Sequence, residues 1–242
     1  MTADFTLQNE DRYATSPDGG PPAHRPRVAV FGGSFDPVHN GHLFMAGEVV
    51  RRGLAEEVLF VPAHTPPHKQ GVRLSAAEHR MEMLRRAVEP YDDFSISDIE
   101  IARAENTSYT VETLGILARI FPDCDLSFIV GSDSLAELHT WKHAPELVNR
   151  FEFIVFSRPG AHTPAFAELS AHFGARNARR LVNAQLDAPA LPISATRIRA
   201  LTAHATTLAG LVPPVVESYI TAYALYAQHS IADEHEQSER TA

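Results

Sequence analysis

Short apolar runs alternate with segments of helical periodicity along most of the chain, and this alternation constrains the fold more than any other feature. The predicted strands cover residues 27–31, 57–61, 94–99, 126–130, 153–156 and 180–183. The predicted helices cover residues 41–52, a segment from Ser75 onward, and residues 109–121, 194–201 and 213–227. Ser75 and Glu78, three residues apart, form the sequence pattern of a capping box at the start of the second helix. Strands that alternate with helices form a parallel sheet with helices on both faces. The sequence therefore predicts an α/β, doubly wound, mostly parallel sheet in a single domain.

Both ends of the chain differ in composition from this alternating region. Residues 1–26 contain four prolines and two glycines between positions 17 and 26, and residues 228–242 are polar and acidic. Segments of this kind bury too little apolar surface to fold by themselves. We therefore expect a disordered N-terminal arm over 1–26, one folded domain over 27–227 and a disordered acidic tail over 228–242.

Charge and cysteine content exclude several classes of protein. The formal net charge of −9 argues against non-specific nucleic-acid binding, which requires an excess of Lys and Arg. The single cysteine, Cys124, rules out an intrachain disulfide framework and argues against a cysteine zinc site. No apolar run approaches the ~20 residues that a membrane span needs, and the N-terminus lacks the pattern of a secretory signal. We therefore expect a cytoplasmic protein that binds neither nucleic acid nor membrane.

The loop after the first strand carries the strongest functional signal. Residues 32–43 read GGSFDPVHNGHL, where Gly32 and Gly33 let the backbone approach a ligand closely because neither has a Cβ. The following helix directs free N–H groups and its positive dipole end toward the loop. His39 and His42 lie three residues apart and so face the same side of that helix. The loop therefore predicts a phosphate site, although it matches neither the dinucleotide fingerprint nor a Walker A sequence.

A second polar motif lies about 150 residues further on. Residues 193–199 read ISATRIR and open a predicted helix. The hydroxyls of Ser194 and Thr196 can cap this helix or donate to a phosphate, and the two roles are compatible. Arg197 and Arg199 carry permanently charged, forked groups that suit phosphate oxygens, although Arg197 is equally well interpreted as a solvated side chain.

The two motifs resemble the HxGH and ISxTxxR signatures of the HxGH nucleotidyltransferase superfamily, and the longer form of the first resembles bacterial nicotinate-nucleotide adenylyltransferases. The resemblance covers about residues 27–227. It implies a Rossmann-like nucleotidyltransferase domain that transfers the adenylyl group of ATP to nicotinate mononucleotide, giving deamido-NAD and pyrophosphate. It also implies that His39, His42 and Arg199 are catalytic. The residues that it assigns to ATP are Gly32, Gly33, Ser34, Phe35, His39, His42, Gly131, Asp133, Ile193, Ser194, Thr196 and Arg199.

Further family-like segments lie between the motifs and concern the acceptor. They are PPHK at 66–69, SYTVETL at 108–114, IVGSDSL at 129–135 and Trp-Lys at 141–142. The residues that the resemblance assigns to nicotinate mononucleotide are Lys69, Thr110, Asp133, Trp141 and Lys142. Each of three has a structural alternative, since Lys69 can be solvated, Thr110 can cap a helix and Trp141 can belong to the core. Lys142 replaces a tyrosine common in the family, and a lysine there would favour a carboxylate over an amide.

The expected chemistry is direct transfer, in which the acceptor phosphate attacks the α-phosphorus of ATP without an enzyme nucleophile. Mg²⁺ would enter with ATP, held by phosphate oxygens and water, so we expect no metal site made of protein side chains. Asp36, the nearest carboxylate of the first motif, is expected to fix its own loop through local, Asx-type hydrogen bonds. The acceptor could instead be nicotinamide mononucleotide or phosphopantetheine, and CTP could replace ATP. A non-catalytic nucleotide sensor on the same fold is a further alternative, while an NAD-dependent oxidoreductase conflicts with the missing fingerprint. The sequence is also compatible with a homo-oligomer.

Overall fold

The computed structural model describes residues 24–64, 74–103, 108–157, 162–188, 191–204 and 206–227. The strands are β1 (Arg27–Gly33), β2 (Glu57–Pro62), β3 (Phe94–Ile96), β4 (Asp125–Gly131), β5 (Glu152–Phe156) and β6 (Gln185–Leu186). The first five helices are α1 (Asn40–Arg51), α2 (Ala77–Val88), α3 (Ile99–Ala102), α4 (Thr110–Ile120) and α5 (Ser132–Glu137). A 3₁₀ turn (Leu138–Thr140) follows, and then α6 (Ala144–Arg150), α7 (Phe166–Asn183), α8 (Ala195–Ala203) and α9 (Pro214–Ala222).

The six strands form one sheet in the order β3-β2-β1-β4-β5-β6, and every neighbouring pair is parallel. Val30 of the central strand β1 lies opposite Leu59 of β2 on one side and Phe128 of β4 on the other. The strand order reverses between β1 and β4, and the loops after these two strands diverge to leave a crevice. The predicted doubly wound parallel sheet is confirmed. Because ligands of such sheets bind where the strand order reverses, we expect the ligand site at the ends of β1 and β4.

Alternate side chains of the strands supply two separate cores, as the period of two in a strand requires. Ala29 and Phe31 of β1 face the layer formed by α1, α2, α8 and α9. Val28 and Val30 face the opposite layer, which includes α4, α6 and α7. Each large apolar side chain buried in this way contributes about 1.5–3 kcal/mol to folding. The two cores fix the sheet between two helical layers.

One predicted strand is wrong. Residues 180–183 are the last turn of α7, and the strand β6 that follows has only two residues. Ala178 and Leu181 are buried three residues apart, whereas Val182 is 36% exposed. This is the spacing of one helix face, so packing overrides the apolar, strand-like local sequence. The whole of α7, like α5 and α6, was missed by the sequence interpretation.

The predicted capping box at the start of α2 is also wrong. The helix has Ala76 as its N-cap residue, and no side chain caps it. The backbone N–H of Ser75 instead donates to the Asp36 carboxylate at 3.1 Å, while its carbonyl accepts from Arg80 at 3.1 Å. Ser75 is therefore held by long-range partners, and the helix begins two residues later than predicted.

Two further boundaries differ from the prediction. The strand predicted over 94–99 ends at Ile96, and residues 99–102 form the short helix α3. The last helix, predicted over 213–227, ends at Ala222. Within the predicted N-terminal arm, Arg25 donates to the Asp125 carboxylate at 2.7 Å. The rest of that arm up to residue 23, and the tail over 228–242, lie outside the described residues. None of the helices described here is long and apolar enough to cross a membrane.

Candidate active site

Two cavities lie side by side at the carboxyl ends of β1 and β4. The larger cavity, of about 470 Å³, lies between the first motif, the end of β4 and the start of α8. The smaller cavity, of about 330 Å³, lies between the ends of β1 and β2 and the start of α4. Both volumes fall in the range of small-molecule sites. The residues that line both cavities are Gly32, Gly33, Ser34, Phe128, Ser134 and Trp141.

The larger cavity brings together the whole set of residues that the sequence assigns to ATP. Those lining it are Gly32, Gly33, Ser34, Phe35, His39, His42, Gly131, Asp133, Ile193, Ser194, Thr196 and Arg199. They come from three separate stretches of the chain, and the parallel sheet brings these stretches to one edge. Arg197 is exposed and is not among the lining residues.

His39 and His42 cap helix α1 reciprocally. The backbone N–H of His42 donates to Nδ1 of His39 at 3.3 Å, and the backbone N–H of His39 donates to Nδ1 of His42 at 3.2 Å. The two rings stack with centroids 3.6 Å apart and planes inclined by 17°. Since each Nδ1 accepts a hydrogen bond, the proton of each neutral ring lies on Nε2. The caps therefore leave both rings in the tautomer that offers an Nε2–H donor at the start of the helix.

Phe35 packs against the His42 ring of the histidine pair. Its side chain is 1% exposed and its ring meets the His42 ring edge-on, with centroids 5.0 Å apart. The backbone of Phe35 has φ 45°, a left-handed conformation that is strained for a bulky residue. Although Phe35 lines the larger cavity, its contacts are those of a core residue that fixes the loop under the histidines.

Arg199 joins the second motif to the first. Its Nη1 donates to the carbonyl of Asp36 at 2.8 Å, and its Nη2 donates to Oγ1 of Thr196 at 3.3 Å. Ser194 caps α8 by accepting the backbone N–H of Arg197 at 3.2 Å. The Arg199 guanidinium therefore lies at the wall of the larger cavity with a fixed orientation.

Asp36 was interpreted as a local turn-forming residue, and this interpretation is wrong. Its carboxylate is 1% exposed and accepts the hydroxyl of Tyr226 at 2.7 Å and the N–H of Ser75 at 3.1 Å. Tyr226 lies 190 residues away in sequence, so no local pattern indicates the contact. The loop is fixed by distant partners.

Arg80 is the principal residue that sequence interpretation missed. It is 2% exposed and donates to the backbone carbonyls of Ser34 at 2.9 Å, Ala63 at 2.7 Å, His64 at 3.3 Å and Ser75 at 3.1 Å. Burial lowers the pKa of Arg80, against the opposing effect of the nearby Asp36 carboxylate. The guanidinium thus joins the loop after β1 to the loop after β2. The sequence signal for Arg80 was a charged residue at an apolar position of helix α2.

The smaller cavity contains three of the five residues assigned to the acceptor. Thr110, Trp141 and Lys142 line it, whereas Asp133 lines the larger cavity and Lys69 lies outside the described residues. Trp141 is half-buried and lines both cavities. Its ring meets the Phe128 ring edge-on, with centroids 6.2 Å apart. Trp141 therefore combines core contact with an exposed surface at the junction of the cavities.

Lys142 lies at the rim of the smaller cavity in an ion-pair network. Its Nζ is 2.6 Å from a carboxylate oxygen of Glu112 and 4.2 Å from the centroid of the Tyr109 ring. The same Glu112 pairs with Arg103 at 3.2 Å. Hydrogen bonds from Lys142 lower the pKa of Glu112, so this carboxylate stays ionised. Arg103 and Lys142 therefore share one carboxylate, and Lys142 is the member of this group that lines the cavity.

Glu100, a buried carboxyl group not foreseen from sequence, also lines the smaller cavity. Its Oε1 accepts the hydroxyl of Thr113 at 2.6 Å, and the hydroxyl of Ser108 also bonds to it. Ser108 in turn accepts the backbone N–H of His64 at 3.2 Å. Burial raises the pKa of Glu100, while the two hydroxyl hydrogen bonds oppose the shift. This network ties the loop after β2 to the start of α4.

Gly131 provides room for an acidic side chain at the end of β4. A Cβ at this position would collide with Oδ1 of Asp133. The backbone of Gly131 is extended, with φ −82° and ψ 161°, so the requirement for glycine comes from space and not from conformation. The exposed Asp133 is therefore held over the end of the strand, where it faces the larger cavity.

Comparison with known proteins finds similar sequences over most of the chain. The cytidylyltransferase-like family model matches residues 30–201. A Symbiobacterium thermophilum protein named "probable nicotinate-nucleotide adenylyltransferase" is 40% identical over 200 residues, covering 83% of this chain and 95% of the relative. A Salinibacter ruber protein of the same name is 40% identical over 204 residues, covering 82% and 97%.

Solved structures show the same fold at lower identity. Plasmodium falciparum nicotinic acid mononucleotide adenylyltransferase in complex with APC has a TM-score of 0.66 and 19% identity. The same enzyme in complex with NaAD has a TM-score of 0.64 and 18% identity. Each match covers 84% of this chain and 98% of the other.

Proposed function

The chain belongs to the cytidylyltransferase-like family and, within it, to the nicotinate-nucleotide adenylyltransferases, and from this premise we propose that it transfers the adenylyl group of ATP to nicotinate mononucleotide. The products are deamido-NAD and pyrophosphate. The observation that carries the proposal is the junction of two cavities, one beside the paired histidines and one beside Trp141. A dinucleotide product needs two adjoining sites that meet at its phosphates.

The transfer is one displacement at phosphorus. A phosphate oxygen of the acceptor forms a bond to the α-phosphorus of ATP, and the bond from that phosphorus to the bridging oxygen of pyrophosphate breaks. His39 and His42 donate from Nε2–H to the α-phosphate, on which negative charge is rearranged in the transition state. The N-terminus of α1 adds its N–H groups and dipole. Because the rings are neutral donors already oriented by their caps, no reorganisation is required when the charge develops.

Arg199 holds the triphosphate. Its two fixed hydrogen bonds to Asp36 and Thr196 leave part of the guanidinium toward the larger cavity, where it contacts the β- and γ-phosphates. The backbone at Gly32 and Gly33 admits the phosphates closely. Ser34, Ile193, Ser194 and Thr196 complete the phosphate and ribose side, and Asp133 accepts from a ribose hydroxyl next to Gly131.

The acceptor occupies the smaller cavity. Its pyridine ring stacks on Trp141. Thr110 lines the same cavity. Lys142, which lines this cavity, contributes a cationic group that would favour nicotinate over the uncharged nicotinamide. Lys69 would reach the acceptor phosphate from the loop after β2.

Mg²⁺ bound together with ATP would supply positive charge that offsets the charge on the leaving pyrophosphate. We assign it to phosphate oxygens and water, its usual partners in nucleotide sites. The nearest motif carboxylate, Asp36, has both oxygens engaged by Tyr226 and Ser75, so we do not assign it as a ligand of the ion. No group of three His, Cys, Asp or Glu side chains suited to a metal occurs among the described residues.

The test is pyrophosphate release from ATP and Mg²⁺ with nicotinate mononucleotide, nicotinamide mononucleotide or phosphopantetheine offered separately. We expect release with nicotinate mononucleotide, and a kcat about 10²–10³-fold lower in His42→Ala, the usual cost of one such donor. His172→Ala, an exposed histidine outside both cavities, is the matched control and should retain activity. Release with a different acceptor would contradict the roles of Trp141 and Lys142. No release with any acceptor from a folded, ATP-binding protein would favour a nucleotide sensor.

A further inference from the structure

The C-terminal segment, residues 206–227, contacts the first motif at two places. The backbone N–H of Asn40 donates to the carbonyl of Leu211 at 2.9 Å, and the Asn40 side chain donates to the carbonyl of Gly210 at 2.9 Å. At the other end of the segment, the Tyr226 hydroxyl donates to Oδ1 of Asp36 at 2.7 Å. These contacts hold both sides of the loop that carries His39. The segment lies beyond residues 30–201, which the family model matches.

Asp36 connects this segment to the catalytic arginine. Its carboxylate takes the Tyr226 hydroxyl and the Ser75 N–H, while its own backbone carbonyl takes Nη1 of Arg199 at 2.8 Å. Asp36 and Tyr226 are 1% and 6% exposed, so water does not readily replace a lost hydrogen-bond partner. Loss of either partner therefore costs free energy. Burial, followed by the charge of Asp36, raises the pKa of Tyr226, and its hydroxyl therefore stays protonated as a donor.

We propose that Tyr226 is a positioning residue for adenylyl transfer, acting through Asp36 to hold Arg199 against the triphosphate. The proposal rests on the proposed function, since it concerns the same site. Tyr226 lines neither cavity, and no other described residue of the C-terminal segment does so. Its influence on the reaction therefore passes through the Asp36 carboxylate and carbonyl, and not through contact with substrate.

Removing only the hydroxyl tests this role, and it also removes the hydrogen bond between that hydroxyl and the Ser75 side chain. Tyr226→Phe keeps the buried ring but leaves Oδ1 of Asp36 without its charge-assisted hydrogen bond. A displaced Asp36 carbonyl shifts Arg199, and misplacement of about 1 Å can cost up to ~100-fold in rate. We expect kcat to fall between about 10-fold and 100-fold. The KM for nicotinate mononucleotide stays unchanged, because the segment does not reach the smaller cavity.

Tyr219→Phe is the matched control. Tyr219 is also a buried tyrosine of the C-terminal segment, 5% exposed, but its hydroxyl bonds Nδ1 of His79 at 2.9 Å, away from the cavities. It should keep the kcat of the unmodified protein. If both variants lose kcat equally, the effect is general loosening of the segment and the proposal is wrong.

A double-mutant cycle with Arg199→Ala decides whether the effect passes through Arg199. We expect Tyr226→Phe to lower kcat in the unmodified protein but to have no further effect once Arg199 is Ala, since the link is already broken. Additive losses, or a Tyr226→Phe kcat equal to the unmodified value, would overturn the proposal.

Calorimetry of ATP binding measures the same double-mutant cycle of Tyr226→Phe and Arg199→Ala, with no turnover required. Tyr226→Phe should weaken ATP binding by about tenfold, within the range of coupling in one hydrogen-bond network, and should lose this effect in the Arg199→Ala background. Unchanged ATP binding together with unchanged kcat refutes the positioning role. Failure of nicotinate mononucleotide to support turnover in the unmodified protein refutes the proposed function instead, and the binding cycle still decides the role of Tyr226.

Discussion

Replacement of Arg80 by Met should destabilise the protein strongly, although the change removes a buried charge. The four carbonyls that Arg80 bonds belong to Ser34, Ala63, His64 and Ser75, and each bond to a charged donor contributes about 1.5–3 kcal/mol. Against this stands the desolvation of the guanidinium, which costs several kcal/mol and is recovered in the variant. The net loss in the free energy of unfolding is about 3–5 kcal/mol.

This loss is large enough to measure as a melting temperature. For a chain of 242 residues, each 1 kcal/mol lowers Tm by about 2–4 °C, so Arg80→Met should melt about 6–20 °C lower. Scanning calorimetry gives Tm, and urea unfolding gives the free energy independently. The pyrophosphate assay should also show reduced kcat, because Arg80 bonds the carbonyl of Ser34 and so holds the loop after β1.

Arg85→Met is the matched control on the same helix. Its side chain is 52% exposed and pairs with Glu82, which keeps Arg86 as a second partner. Loss of an exposed ion pair costs less than about 1 kcal/mol. Equal Tm values for Arg80→Met and Arg85→Met would refute the reasoning, since they would mean that desolvation cancels the four hydrogen bonds of Arg80.

Two further variants test the cavities. Gly131→Ala should displace the Asp133 carboxylate and raise the KM for ATP with little change in Tm, whereas Gly115→Ala, whose new Cβ has no neighbour closer than 3.8 Å, should leave KM unchanged. Equal KM values in both variants would contradict this. Burial raises the pKa of Glu100 in the folded protein above its ordinary value of 4.5. The unmodified protein therefore loses stability as pH rises above 4.5 and the carboxyl ionises, whereas a glutamine at this position does not titrate. The stability of Glu100→Gln relative to the unmodified protein should therefore increase with pH. Urea unfolding between pH 4 and pH 8 measures the difference, and a constant difference over this range would show that Glu100 does not titrate with a raised pKa.

Local sequence was sufficient to predict a secondary-structure element where all the contacts that define the element lie within one short segment. The apolar spacing over 41–52 predicted helix α1, and the reciprocal caps of His39 and His42 at its start lie within four residues. The phosphate site that the same two histidines indicate stays a prediction. The alternation of apolar strands and helices predicted the parallel sheet, because each apolar run can be read within its own short segment. The one wrong strand, at 180–183, shows the limit, because Leu181 and Val182 read alike in sequence and only packing buries one of them.

Long-range contacts account for what sequence could not reveal. Asp36 and Tyr226 are separated by 190 residues, and their hydrogen bond exists only once the sheet has brought the C-terminal segment over the first loop. Lys142 was recognised as a cation, but its sharing of Glu112 with Arg103 depends on how α4 packs beside the turn before α6. Arg80 gave a usable signal, a charge on an apolar helix face, which indicates a buried ion with specific partners.

The most direct test of the account is a crystal structure of the protein with deamido-NAD bound. We expect the adenosine half in the larger cavity, the pyridine ring against Trp141 in the smaller cavity, and a phosphate oxygen within hydrogen-bond distance of Nε2 of His39 or His42. Arg199 should keep its bond to the carbonyl of Asp36. A pyridine ring outside the smaller cavity, or a diphosphate that lies away from both histidines, would contradict the account.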